Sequence, residues 1–418
     1  MRRLVPPLLR ENPPFRTFFA GQAVSLLGDQ ISLIALPLVA VLVLDSSPAE
    51  MGYLTTAALL PNLLSLNVGA WVDKRGRRRR TMIAADLGRA ALIASVPAAY
   101  WLGALTIEQL YAVGFVVGFL SVLFNVSYGT LFVALVPRER YVDANSLTHG
   151  ARALSFVVGP SIGGVLVQLL RAPAALVVDA CSFLVSAVAL ARISPEEPPV
   201  EPAERGHLVA GVHYIARSPI IRAALGATAT INFFNFVFFA LFILYANRYL
   251  DVGPGLLGVV LGIGAIGSVI GAAVSGRIVR RIGIGPAFVV GCVLFPVPLV
   301  LVPLAGGPRW LVLACLALAE FGSGFGVMIL DIAAGTLSMA VVPDRLRARV
   351  SGAYMVVNYG VRPLGAFLGG ALGTAIGVRP TLWIATVGAI AGFAWLLPSP
   401  VMSLRDLPEQ DEFAATAG

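Results

Sequence analysis

Twelve apolar stretches, most of them about 20 residues or longer, run the length of this chain. They fall at roughly 17–44, 50–72, 81–103, 108–136, 147–170, 173–193, 219–247, 254–276, 284–305, 310–341, 350–376 and 380–402. A helix rises about 1.5 Å per residue, so about 20 apolar residues match a hydrocarbon core about 30 Å thick. The expected fold is therefore an all-α integral membrane protein with twelve transmembrane helices. Composition agrees: 58% of the residues are hydrophobic and 12% charged, against about 25% charged in a soluble domain.

Basic residues set the orientation, because Lys and Arg are retained on the cytoplasmic side. With both termini in the cytoplasm, 23 of the 30 Lys and Arg face inward, four face outward and three lie within spans. Trp101, Trp310 and Trp383 fall near outer helix ends, where an aromatic belt belongs. Residues 1–16 are basic and proline-rich, without a small-residue cleavage site, which argues against a cleaved signal peptide. The expected location is a plasma membrane, crossed many times.

One long polar interruption, 194–218, divides the chain into a six-helix half (1–193), a cytoplasmic linker, a second six-helix half (219–402) and a tail (403–418). The linker's 205–217 segment is expected to form a short surface helix. The halves echo each other: Gly69 and Gly76 correspond to Gly276 and Gly283 at an offset of 207, and "VPRERYVDANS" to "VPDRLRARVSG" at 206. Two parallel six-helix repeats are a transporter architecture.

Several other functions lack their chemistry. The basic run at 69–80, "GAWVDKRGRRRR", has neither an aromatic platform nor a soluble domain behind it for nucleic acid. Cys181, Cys292 and Cys315 and the three histidines are too scattered to ligate a metal. Gly262, Gly264 and Gly267 spell a dinucleotide fingerprint, but inside an apolar helix with no preceding strand, so they read as a packing face. Lys74 is the only lysine and follows no glycine, so there is no P-loop to use ATP. The expected energy source is a proton gradient, with no cofactor. A proton gains about 2.3 kcal/mol per 100 mV, enough for a roughly 50-fold substrate gradient.

Within the basic turn, Gly69, Asp73, Lys74, Gly76, Arg77 and Arg78 match G-x-x-x-D-[RK]-x-G-R-[RK]. With twelve helices and the repeat, the chain resembles the major facilitator superfamily along nearly its whole length. The resemblance implies that this loop latches the halves on the cytoplasmic side. Arg280 takes the aspartate's place in the second half, so the latch there is degenerate. "FRTFFAGQAVSLLGDQ", "AADLGRA", "ANSL" and "VVDACSFL" look like the drug:proton antiporter branch, which includes macrolide-efflux and enterobactin-exporter relatives. Gly159, Pro160, Gly163 and Gly164 match the core of the family's antiporter motif, and close helix packing is their simpler reading.

Away from their ends, the spans hold five carboxylates, each needing a partner, water or a proton. Asp29 shares a polar stripe with Gln22, Ser25 and Ser32; since the first helix of this superfamily lines the central cavity, it is the first candidate for proton coupling. Glu320 is the second, with no basic residue at its depth. Asp331 and Arg362 share a depth and are expected to pair. Asp86 and Arg89, three apart, are expected to pair on a helix surface. Asp179 is expected to bond to helix ends or water. Asn232 and Asn235, also three apart, share one face of an aromatic-rich helix. The expected function is proton-coupled export of amphipathic small molecules, drugs or self-made metabolites such as siderophores. The partners expected are the substrate and membrane lipid, the chain working as a monomer. Import of a nutrient or lipid-like molecule is the alternative within transport; a transporter-fold sensor or membrane enzyme is the alternative outside it.

Overall fold

The computed structural model describes residues 6–194 and 208–404, except the side chains of Leu66, Asp73 and residues 208–210. Among the described residues there are helices and no strands. The spans correspond to α1 (Pro13–Leu42), α2 (Pro48–Leu59 and Ser65–Arg75), α3 (Arg78–Trp101), α4 (Ile107–Leu135), α5 (Tyr141–Leu170) and α6 (Ala172–Ala191). They continue as α7 (Pro219–Leu244), α8 (Pro254–Ile282), α9 (Ile284–Leu294 and Leu301–Leu304), α10 (Arg309–Val341), α11 (Asp344–Ala375) and α12 (Val378–Ala391).

Nine of these regions are long and apolar enough to cross a membrane by length and composition. The other three, α2, α11 and α12, are helical but interrupted or polar. A 3-10 turn at Leu60–Leu64 divides α2, where Pro61 contributes no backbone N–H. The first turns of α11 carry Asp344, Arg345, Arg347 and Arg349. After Ala391, α12 tightens into a 3-10 turn, Gly392–Leu396.

Helix starts follow local chemistry. Asn12 caps α1 by accepting from the Phe15 N–H at 3.0 Å. Ser47 and Glu50 form a capping box before α2: the Ser47 N–H and hydroxyl donate to Glu50 Oε2 at 2.6 and 2.8 Å, and the Glu50 N–H donates to Ser47 Oγ at 3.3 Å.

The internal repeat reaches the backbone angles. Asp45 and Asp251 have φ of 49° and 52°, and Arg171 and Gly377 have φ of 71° and 92°; the members of each pair lie 206 positions apart. Non-glycine residues seldom adopt positive φ, so matched occurrences mark one backbone design used twice. Pro137 (φ −61°, ψ 146°) and Pro343 (φ −56°, ψ 142°) match in the same way.

The chain forms two compact units whose boundaries differ from the expected halves at two places. Residues 47–56, the start of α2, belong with the described parts of the second half, 208–251 and 263–404; residues 252–262, the start of α8, belong with 6–46 and 57–194. Glycines are the physical reason. In the first unit a Cβ on Gly164 would stand 2.9 Å from Gly258 Cα, and in the second a Cβ on Gly52 would stand 2.6 Å from Gly370 Cα. The first unit's core includes Phe15, Phe18, Met82 and Leu131; the second's includes Ile231, Phe288 and Leu330. The linker helix, Leu208–Arg217, belongs to the second unit, where the Tyr214 hydroxyl donates to Val341 O at 2.8 Å. Residues 205–207 of the expected surface helix lie outside the described residues.

Candidate functional site

The first unit encloses a polar cavity of about 150 Å³ walled by α1, α3, α4 and α5. From α1 come Gln22, Ser25 and Asp29, spaced three and four apart so that they share a face. Gln22 and Ser25 are buried and Asp29 is half-buried. Arg89 enters from α3, Ser121, Asn125 and Tyr128 from α4, and Thr148 and Arg152 from α5. The Asp29 carboxyl thus shares one small space with two guanidinium groups, hydroxyls and amides. Its proton occupancy depends on which of them face it, and a ligand with hydrogen-bonding groups finds partners there.

Behind the cavity runs a buried polar network. Gln22 Nε2 donates to Ser186 Oγ at 3.1 Å. Asp86 and Arg89 form the expected ion pair, but its setting corrects the expectation: their side chains are 0% and 4% exposed, so this is an interior pair rather than a helix-surface one. The Arg89 guanidinium lies 4.5 Å from the Phe124 ring centroid and 4.3 Å from that of Phe183, so aromatic faces provide part of its solvation. Asp86 Oδ2 and Arg89 Nε are buried without a hydrogen-bond partner. Asp179 is likewise buried, and hydroxyls supply its partners rather than helix ends: Ser32 donates to Oδ2, and Ser182 to Oδ1 at 3.0 Å.

The small-residue motif of α5 is a packing surface on two sides. A Cβ on Gly159 would come 2.7 Å from Gln30 Cγ, and one on Gly163 would come 3.1 Å from Ile31 Cα, both on α1. Gly164 faces α8 at Gly258, and the backbone oxygen of Pro160 also meets Gly258. The motif therefore sets the α1–α5 spacing behind Asp29.

The basic turn divides its labour. Gly76 ends α2 in the left-handed conformation, φ 61°, which glycine adopts without a Cβ penalty. Among the described side chains, a Cβ on Gly69 would meet only Val126, at an ordinary 3.7 Å, so no close approach there calls for glycine. The Arg75 guanidinium lies 4.2 Å from the Trp71 ring centroid. Lys74 and Arg77 are exposed, whereas Arg78 is buried. Arg79 closes the end of α6, donating from Nε to Leu190 O at 2.8 Å and from an Nη to Ala191 O at 2.6 Å. The side chain of Asp73 lies outside the described residues.

In the second unit, one expectation is corrected. Among the described residues no ion pair joins Asp331 to Arg362. The Arg362 guanidinium instead lies over Tyr359 at 4.3 Å and Phe236 at 5.3 Å, because ring faces on its own helix and on α7 take the cation, while Asp331 is exposed. Asn232 reaches α11, where its Nδ2 donates to Asn358 Oδ1 at 3.1 Å. Thr228 and Tyr354 continue that seam, their hydroxyl oxygens 2.6 Å apart. Asn235 is half-buried. Glu320 is half-buried against α8, where a Cβ on Gly264 would stand 3.2 Å from Glu320 Cβ.

Residue-by-residue reading overlooked Arg152, Thr148, Asn125 and Tyr128 as cavity residues. The signal was their spacing: 148 and 152 are four apart on α5, and 121, 125 and 128 are four and three apart on α4.

Residues 18–365 match the family profile described as Major Facilitator Superfamily. The chain is 27% identical to the multidrug efflux pump Tap of Mycolicibacterium fortuitum, over 85% of this chain and 88% of that protein. It is 24% identical to the enterobactin exporter EntS of Citrobacter koseri, over 88% of this chain and 86% of that one. Among solved structures, a bacterial homologue of the iron transporter ferroportin in its inward-facing state superposes with a TM-score of 0.75 at 16% identity, covering 94% of this chain and 99% of that chain. The nucleoside transporter NupG also gives 0.75, at 12% identity, covering 92% and 99%. These two likenesses concern the fold.

Proposed function

Because the chain belongs to the major facilitator superfamily, and is a multi-pass membrane transporter rather than an enzyme, we propose that it exports amphipathic small molecules across the plasma membrane in exchange for protons. Relatives named for multidrug efflux and for enterobactin export support the outward direction and the substrate class, drugs or self-made metabolites. The observation that carries the coupling is the cavity in which Asp29 shares about 150 Å³ with Arg89 and Arg152. A carboxyl there holds a proton or a ligand group according to what else occupies the space. When the cavity opens to the other side, the exchange reverses. Glu320 is the second candidate for this role, having a titratable side chain set against a helix with no cation paired to it among the described residues.

Transport in proteoliposomes, with and without a pH gradient, tests the reading over a panel of amphipathic compounds. Asp29→Asn keeps a hydrogen-bonding group and removes the change of charge. It is expected to abolish pH-driven accumulation while substrate exchange between loaded compartments continues. Glu320→Gln is the matched comparison. If Asp29→Asn still concentrates substrate when only pH drives it, coupling does not run through Asp29.

A further inference from the structure

On the outside of the first unit, α1 and α6 form a second cavity, an open trough of about 650 Å³. Its floor is made by Gly21 and Ala189, where a Cβ on the glycine would come 2.6 Å from Ala189 Cβ and the helices run close together. Val24, Leu184, Val185 and Val188 stand along its sides, each 41–48% exposed. At one end are Arg16 and Arg192. Because α1 begins at Pro13 and α6 finishes at Ala191, both arginines lie at the same end of the trough. Eight residues separate Arg16 from Val24, and eight separate Leu184 from Arg192, so the apolar walls extend about 12 Å beyond the arginines.

Among the described residues, no carboxylate pairs with the charge at this mouth. Arg16 lies in the first turn of α1, where the helix dipole is already positive and a cation is disfavoured; that turn holds no acid. The nearby Glu11 pairs with Arg140 at 2.9 Å. Neither the Arg16 nor the Arg192 side chain has a hydrogen bond or ion pair among the described residues. Arg192 directly follows the helix end that Arg79 holds through Leu190 O and Ala191 O.

We propose that this trough is a binding site for one anionic phospholipid of the cytoplasmic leaflet, with the phosphate between Arg16 and Arg192 and an acyl chain along the trough. A guanidinium pair suits a phosphate by forked, charge-assisted hydrogen bonding. The apolar walls suit the chain, and basic pockets between helices on the cytoplasmic side are where anionic headgroups are held. The side is assigned by the 23 of 30 Lys and Arg that share it.

Native mass spectrometry of the purified full chain, titrated with phosphatidylglycerol and with phosphatidylcholine of the same acyl chains, tests the site. The expected result is a preference of about 10- to 30-fold for the anionic lipid, the scale of two basic residues at an anionic surface. Arg16→Gln combined with Arg192→Gln is expected to remove the preference. Val188→Trp, which fills the trough and leaves both arginines, is expected to weaken retention of both lipids. Equal retention of the two lipids by the wild-type chain overturns the proposal. So does an unchanged preference in the folded double variant or, should that variant not fold, unchanged retention in Val188→Trp.

Discussion

Gly52 and Gly370 cross so closely that a Cβ on Gly52 would stand 2.6 Å from Gly370 Cα and 2.8 Å from Ala366 O. Gly258 and Gly164 form the corresponding crossing 206 positions away in each strand of the repeat: 52 maps to 258 and 164 to 370. The neighbours are backbone atoms, which cannot rotate aside. Gly52→Val and Gly258→Val are therefore each expected to lower stability by about 1–3 kcal/mol, the usual cost of overpacking. Thermal unfolding in detergent checks this. Gly69→Ala, with ordinary contact at 3.7 Å, is the comparison and is expected to unfold within a degree or two of the wild type.

The buried Asp86–Arg89 pair gives a second expectation. Arg89→Gln leaves Asp86 in the interior without its cation, and Asp86→Asn leaves Arg89 without its anion. Each is expected to cost about 3–5 kcal/mol. The double variant is expected to cost less than the sum, a coupling readable in a double-mutant cycle of folded yield or denaturation midpoint. Strict additivity would place the stabilisation of Arg89 in the rings of Phe124 and Phe183 alone.

For Asp331 and Arg362 a weaker coupling is expected. No ion pair joins them, but their opposite charges attract through space, so the coupling energy in a cycle of Asp331→Asn and Arg362→Gln is expected to be smaller than that of Asp86 and Arg89. Arg362→Lys keeps the charge but loses the planar stacking on Tyr359 and Phe236. It is expected to be measurably less stable than the wild type by thermal shift. A Lys variant as stable as the wild type would mean that charge, not ring contact, holds position 362.

The basic turn carries a functional expectation. Asp73→Asn removes the turn's one acidic charge and retains its six basic residues. Membrane abundance is expected to stay near wild type and transport to fall severely, both measured in the same cells. Normal transport at matched abundance would reduce the turn to a topological anchor.

Span number and the repeat were legible in the sequence because length, hydropathy and basic-residue placement are one-dimensional signals. They located helices even where the structure interrupts them, as at Leu60–Leu64. Partner choice was not one-dimensional. Asp331 and Arg362 share a depth across a short loop, yet the sequence does not record that Tyr359 and Phe236 present ring faces to the arginine. Asp86 and Arg89 were recognisable as an i, i+3 pair, but their burial depends on Phe124 and Phe183, which arrive from two other helices. Asp29 stood out as an acid in an apolar run. Arg152 lies four residues from Thr148 on α5, yet the sequence does not record that this face turns toward the cavity of Asp29.

The bond from Arg79 to the end of α6 spans 111 residues, and that separation has a history in time. A ribosome adding about 5–20 residues per second needs roughly 6–22 s between making the arginine and making its acceptor carbonyls. During that interval the helix end that this side chain closes does not yet exist. Once the sixth span emerges, the same guanidinium becomes a clasp. Arg79→Gln is therefore expected to leave early insertion to the turn's five other basic residues and to loosen the half only after synthesis has passed residue 191.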